Sequence, residues 1–141
     1  MSQLTRQQLH DLCRLRLREA STLIRARQYA GAYYIAGYAA ECALKACIAK
    51  HTMRHDFPDK NIANKAWVHN LEELARTAGL WPILEKELKT KPSLALNWSI
   101  VKDWKETSRY DLSRTAAEAK DFYSALVARQ NGVLPWIRKR W

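Results

Sequence analysis

The sequence predicts an all-α protein, an up-and-down helical bundle of about four to five helices in a single domain covering residues 1–141. Ala, Leu, Arg, Lys and Glu dominate the composition, which favours helix. No stretch shows the two-residue alternation of a half-buried strand. Hydrophobic residues make up 48% of the chain, enough for one core, and its 4 Gly and 4 Pro form no linker.

The first predicted helix runs from about Thr5 to Arg27. Its apolar face repeats at helical spacing and comprises Leu9, Cys13, Leu17, Ala20 and Ile24. The opposite face is basic, and it is either a phosphate-facing stripe or a solvated surface formed by Arg14, Arg18 and Arg25.

The second predicted helix, from about Tyr29 to Thr52, is apolar nearly all round and is therefore expected at the centre of the bundle. Its glycines and alanines allow neighbouring backbones to approach closely. The segment MRHDFPDKN, with Pro58, is expected to end this helix.

Helix signals recur in the second half of the chain. A short helix is predicted to start at Asn70, with Glu73 at the reciprocal capping-box position, and to stop at Gly79. Pro82 precedes a brief turn over residues 83–89. Pro92 is placed in the first turn of a helix that continues to about Lys102.

The last long helix is predicted from about Thr115 to Gln130, after a loop with the sequence WKETSRYDLS. Thr115 and Glu118 form a second capping-box pair, and Gly132 is expected to end the helix. The remaining residues, VLPWIRKRW, form a basic, aromatic tail. Such a tail either contacts a single nucleic-acid strand or docks onto the bundle or a second subunit.

A polar stripe crosses the second helix. Tyr34, Tyr38, Glu41 and Lys45 are spaced i, i+4, i+7 and i+11, so they share one face of a helix that is otherwise apolar. Two interpretations remain open. Glu41 and Lys45 pair with each other in the favourable i, i+4 order, or the stripe lines a pocket in which the acid positions an incoming arginine.

The formal net charge of +10 favours an acidic partner, with nucleic acid ahead of a membrane surface. No signal sequence or membrane-spanning stretch is recognisable, so a cytoplasmic protein without membrane contact is expected. The cysteines Cys13, Cys42 and Cys47 form no CxxC motif and are expected to be reduced and buried.

Several pieces of the sequence together resemble the HEPN domain family. They are AAECALKACIA after two tyrosines, HNLEEL after a loop, and a W-x-x-x-x-RY segment before the last long helix. The resemblance implies a helical bundle that is commonly dimeric and binds nucleotides or RNA. It also implies a separate nucleotidyltransferase partner and a place in a toxin–antitoxin or defence system.

The ribonuclease motif of the family, an Arg followed after four to six residues by a His, is not complete here. Arg109 corresponds to its arginine, but no histidine follows; the histidines are His10, His51, His55 and His69. Arginine stabilises phosphate charge but does not move protons. The departure matches the family members that resemble the substrate-binding half of nucleotidyltransferases.

The favoured hypothesis is therefore a nucleotide- or RNA-binding module without a cofactor. Its cleft would be lined by Tyr34, Tyr38, Glu41, Lys45, Arg109 and Tyr110. Arg109 would hold phosphate, Lys45 would add positive field, and Glu41 would orient Arg109. A tyrosine would stack on a base or donate a hydrogen bond.

Two other functions stay open. One is a divergent, metal-independent ribonuclease in which His69 or another imidazole acts with Arg109. The other is a dimeric protein-interaction domain without a ligand. A zinc site built from Cys47, His51 and His55, spaced i, i+4 and i+8, is considered and not favoured, because the HDFP sequence breaks the helix.

Overall fold

The computed structural model describes residues 4–53 and 64–141, and these residues contain helices and no strand. The predicted all-α class is confirmed. The helices are α1 (Arg6–Arg25), α2 (Tyr29–Met53), α3 (Leu71–Thr77), α4 (Trp81–Thr90), α5 (Pro92–Val101), a 3-10 helix (Glu106–Tyr110), α6 (Ala116–Val127) and α7 (Val133–Arg138). Pro58 and most of the MRHDFPDKN segment lie outside the described residues.

Helices α1 and α2 form the long hairpin of the bundle and share the most extensive interface between any two elements. The apolar face of α1 is buried as predicted at Leu9, Cys13, Leu17 and Ala20. The helix ends at Arg25, two residues earlier than predicted. Arg27 adopts a positive φ of 60° in the tight connection that turns the chain back into α2.

Helix α2 is the centre of the bundle, as predicted from its apolar circumference. Helices α1, α3, α6, α7 and the 3-10 helix all pack on it. Gly37 shows why small residues are required, because a Cβ atom there would lie 1.9 Å from the indole ring of Trp104. Trp104 is 1% exposed and attaches the chain just before the 3-10 helix to the middle of α2.

The predicted helix ends agree with the structure in several places. The Asn70 side chain caps α3 by accepting from the Glu73 N–H at 2.9 Å, although the reciprocal half of the capping box is not formed between these two residues. Gly79, with φ 75°, ends α3 in a Schellman motif. Thr115 and Glu118 complete the predicted capping box of α6. The predicted turn over residues 83–89 is instead part of a longer helix, α4.

The C-terminal segment is part of the core rather than a free tail. Helix α6 ends at Val127, three residues before the predicted end, and Gly132 is the N-cap of α7 instead of a simple stop. Four side chains of α7 are buried: Val133, Leu134, Trp136 and Ile137. Of the two interpretations of this tail, the structure shows docking onto the bundle.

The last residue is also fixed. The Trp141 indole stacks on the His10 imidazole with centroids 3.8 Å apart and planes inclined by 19°. The Arg6 guanidinium donates to the Trp141 carbonyl oxygen. The three cysteines of the sequence are all unpaired and buried, in agreement with the prediction.

Candidate functional site

The predicted polar stripe lies along one side of α2, where it meets α3 and the 3-10 helix. Glu41 is its most buried member, with only 4% of its surface exposed. A carboxylate at that depth needs compensating donors, because an unpaired buried charge costs several kcal/mol. Its hydrogen-bond partners therefore decide what the stripe does.

Both oxygens of the Glu41 carboxylate are occupied. Oε2 accepts from the Lys45 ammonium at 3.3 Å, and Oε1 lies 2.6 Å from Nδ1 of His69. The predicted pairing of Glu41 with Lys45 is thus confirmed. The contact with His69 joins residues 28 positions apart and connects α2 to the start of α3.

His69 reaches Glu41 because of how α3 is attached. It directly precedes the Asn70 N-cap, and Leu71 and Leu74 are completely buried against the core. An ionised carboxylate only accepts hydrogen bonds, so Nδ1 of His69 carries the proton toward Glu41. In the neutral ring the unprotonated nitrogen is then Nε2, on a side chain that is 39% exposed.

The two tyrosines of the stripe connect this pair to the neighbouring loop. The Tyr34 and Tyr38 hydroxyls are 3.4 Å apart, and the Tyr38 ring meets Trp104 edge-on at 5.2 Å. Burial and the hydrogen bond with Tyr34 raise the pKa of Tyr38 above its usual value. Tyr38 therefore stays protonated at neutral pH and remains a hydrogen-bond donor or acceptor.

Arg109 lies on the same side of α2. Its guanidinium is centred 4.8 Å above the Tyr110 ring, and its interactions with Tyr110 first and Tyr34 second raise its pKa. The charges of Glu41 and Arg109 both act on the Tyr38 hydroxyl, in opposite directions. The loop arginine and the buried acid therefore share one region of the surface.

The predicted contact between Glu41 and Arg109 is not formed. Across residues 4–53 and 64–141, Arg109 makes no ion pair with any carboxylate. Glu41 has both oxygens bound to His69 and Lys45, so it orients the imidazole and not the guanidinium. Arg109 is positioned by tyrosines and keeps its charge without an acidic partner.

Two anchors fix the segment that carries Arg109. Trp104 holds its beginning on Gly37 of α2. Arg114 holds its end, because its guanidinium donates to Asp111 at 3.0 Å and to Glu118 at 2.8 Å. The same guanidinium lies 3.9 Å above the Tyr33 ring. The position of Arg109 thus follows from packing on both sides of the 3-10 helix.

We call the resulting surface the Arg109–His69 face. It comprises Tyr34, Tyr38, Glu41, Lys45, His69, Arg109 and Tyr110. Arg109 and Tyr110 are exposed, and Tyr110 presents 71% of its surface. The face offers an uncompensated guanidinium, a stacking ring and an oriented imidazole, the groups that bind a phosphate and a base.

The position of His69 in the fold is the one that the sequence predicts least well. The HNLEEL segment identified it as the residue before a helix cap, but no local pattern showed which side of the bundle it would face. That depends on how Leu71 and Leu74 dock α3, a long-range packing effect.

The described residues contain no cluster of His, Cys, Asp or Glu able to hold a metal ion. Of the zinc set considered above, Cys47 is buried in the core and His55 lies outside the described residues. None of the helices in the described part of the chain has the length and apolar character needed to cross a bilayer.

No protein-family model, no curated protein and no solved structure matches this chain.

Proposed function

We propose that this protein is a nucleotide- or RNA-binding module of the HEPN type, and that the Arg109–His69 face binds the ligand. One observation supports the proposal most strongly. The guanidinium of Arg109 lies over the Tyr110 ring, and no carboxylate of the described residues neutralises it. Its charge acts on Tyr38, whose ring meets the His69 imidazole with centroids 6.2 Å apart.

The chemistry of the face suits a phosphate next to a base. A guanidinium without an acidic partner can donate two parallel hydrogen bonds to phosphate oxygens. Tyr110 is exposed beside it and offers a ring on which an unpaired base can stack. Lys45 adds positive potential, although its own bond to Glu41 reduces its contribution.

The bond of 2.6 Å between Glu41 and His69 favours a second candidate function, a metal-independent ribonuclease. In that reaction Nε2 of His69 would accept the proton of a ribose 2′-hydroxyl as its oxygen attacks the adjacent phosphorus. The bond from phosphorus to the 5′-oxygen would break, which leaves a 2′,3′-cyclic phosphate and a 5′-hydroxyl that takes its proton from the imidazolium or from water. Glu41 would stabilise the resulting imidazolium, and Arg109 would stabilise the negative charge on the phosphoryl oxygens. The His69 imidazole would thus replace the one missing from the family motif.

The HEPN resemblance extends the proposal to partners. It suggests a homodimer acting with a separate nucleotidyltransferase in a toxin–antitoxin or defence system in the cytoplasm. A dimeric interaction domain without any ligand is the remaining alternative, and it predicts only generic electrostatic binding of nucleic acid. Light scattering of the purified protein tests for the dimer.

RNA binding by an arginine variant tests the main proposal. We expect Arg109→Gln to weaken binding of a labelled single-stranded RNA, measured by fluorescence anisotropy, by about tenfold. Arg129→Gln, which removes an exposed arginine after α6, is the matched control and should bind like the wild type. Equal affinities of the two variants would contradict a phosphate site at Arg109.

Incubation of the same RNA with a metal chelator separates the two candidate functions. Intact RNA with Arg109-dependent binding supports the binding module. Cleavage that is lost in both Arg109→Gln and His69→Asn supports the ribonuclease, since both residues have roles in that mechanism.

A further inference from the structure

A second basic surface lies on the other side of α2. It is an open groove of about 310 Å³ whose lining includes Cys47, Lys50, Ala78, Leu80, Lys139 and Arg140. Lys50 follows Glu41 by nine residues, which corresponds to about 180° around an α-helix. The groove and the Arg109–His69 face are therefore separate sites.

Among the described residues that line the groove, every charged side chain is basic. Within the described ranges Lys50 and Lys139 form no ion pair, whereas many other lysines and arginines of the chain are paired with acids. Within the described part of the chain, their charges are thus not compensated by an acid. Such clustered positive charge attracts an anion.

Arg140 is held rigidly at one wall of the groove. Its guanidinium donates to the Trp136 carbonyl oxygen at 2.7 Å and to the Glu87 carboxylate at 3.2 Å. It also stacks on the Trp136 ring at 3.8 Å. A guanidinium has five N–H donors, so about three remain for a ligand in a fixed orientation.

The buried Cys47 thiol on the floor of the groove is affected by these positive charges. Burial raises the pKa of the Cys47 thiol to about 11, while the charges of Lys50, Arg140 and Arg6 act in the opposite direction. The charges of three cations, from α1, α2 and the end of the chain, thus act on one buried side chain. Apolar Ala78 and Leu80 complete the floor and leave the charged groups at the rim.

We propose that this groove binds a phosphate group, as a site independent of the Arg109–His69 face. A phosphate monoester carries about 1.5 to 2 negative charges and three acceptor oxygens. It therefore matches two unpaired lysines and a preoriented guanidinium better than a carboxylate does, which carries one charge and two oxygens. The phosphate would come either from a free nucleotide or from a single-stranded RNA backbone.

The test uses the full-length protein with Lys50 and Lys139 both replaced by Gln. A variant with Lys102 and Lys120 replaced by Gln removes the same charge from exposed positions outside both sites and is the control. The probes are ATP, a labelled oligouridylate and polyglutamate of equal charge. Thermal unfolding of each variant verifies that it is folded, which is expected because all four lysines are at least partly exposed.

We expect the Lys50/Lys139 variant to bind oligouridylate about 25-fold more weakly at about 100 mM salt, about fivefold for each lost phosphate contact. The slope of log affinity against log salt should fall by about 1.4. If the affinity for ATP falls by the same factor, the site also binds free nucleotides. If only the affinity for oligouridylate falls, the site binds RNA.

Two results would overturn the proposal. One is an identical salt slope for the groove variant and the control, and the other is polyglutamate binding as tight as that of oligouridylate. Arg109→Gln keeps this outcome separate from the proposed function. If the Lys50/Lys139 variant loses affinity while Arg109→Gln binds like the wild type, the groove is a phosphate site and the Arg109–His69 face is not.

Discussion

Trp104 lies directly on Gly37 of α2. Its indole occupies the space in which any residue other than glycine at position 37 would place its Cβ atom. This contact connects the most central helix of the bundle to the segment that presents Arg109. It is a packing contact only, because the buried Trp104 Nε1 has no hydrogen-bond partner among residues 4–53 and 64–141. The position of the guanidinium thus depends on the absence of one methyl group.

Replacing Gly37 by Ala should therefore destabilise the protein and displace Arg109. Overpacking of a core contact costs about 1–3 kcal/mol, and a distance of 1.9 Å places this substitution at the upper end of that range. Chemical denaturation measures the change. Gly31→Ala is the control, because its Cβ would lie 3.5 Å from Leu23, an ordinary contact, and alanine favours helix. Equal stabilities of the two variants would contradict the packing described for Trp104.

Glu41→Gln should lower the free energy of unfolding by about 1–3 kcal/mol, because it removes the charge that compensates Lys45 and binds His69. Glu72→Gln is the matched control. Its partner Arg76 is 3.8 Å away on an exposed surface, so the expected effect is below about 0.5 kcal/mol. Denaturant unfolding of both variants at pH 7 measures the difference. Similar losses would show that burial of Glu41 has no energetic consequence.

The stack of His10 on Trp141 should make stability depend on pH. Burial and the charges of Arg6 and Arg14 lower the pKa of His10 below its usual 6.5, while Asp11 opposes them. The unfolded chain then binds the proton more readily than the folded chain. Stability is complete above about pH 6.5 and falls as the pH is lowered through the pKa of the folded state.

His10→Phe isolates this contribution, because phenylalanine keeps the ring stack and does not titrate. Its melting temperature should decrease less than that of the wild type between pH 7 and pH 5. The remaining histidines titrate in both proteins, so the difference between the two curves belongs to His10. Parallel curves would show that His10 takes up its proton equally well in the folded state.

The segment after α6 should behave as core. Leu134 is completely buried, and truncation of such a residue to alanine costs about 2–5 kcal/mol. Leu112→Ala is the control, because Leu112 is 98% exposed and its loss should change stability by less than about 0.5 kcal/mol. Thermal and denaturant unfolding measure both variants. A small effect at Leu134 would mean that α7 is not attached to the bundle as described.

Local sequence rules predicted the elements that depend on local interactions. The caps at Asn70 and Thr115, the stop at Gly79 and the apolar face of α1 all involve residues within one or two helical turns. The pairing of Glu41 with Lys45 was predictable for the same reason.

Long-range packing explains what was missed. The composition of VLPWIRKRW suits both a strand-binding tail and a docked helix, and only the fit of its apolar residues to the core selects docking. The sequence predicts Gly132 as a helix stop, but glycine is typical of both helix ends, and here it is the N-cap of α7. The predicted Glu41–Arg109 contact is wrong because His69, from a distant part of the sequence, binds one Glu41 oxygen and Lys45 binds the other.

The three unpaired cysteines provide a built-in probe of opening. All are buried, and burial raises the pKa of Cys42 and of Cys47 to about 11, so that only about one thiol in ten thousand is ionised at pH 7. Cys47 lines the open groove described above, whereas Cys13 is completely buried, so alkylation of Cys13 by a reagent such as iodoacetamide must wait for the bundle to separate. The rate of alkylation measures how often α1, α2 and α7 come apart, without any label being introduced.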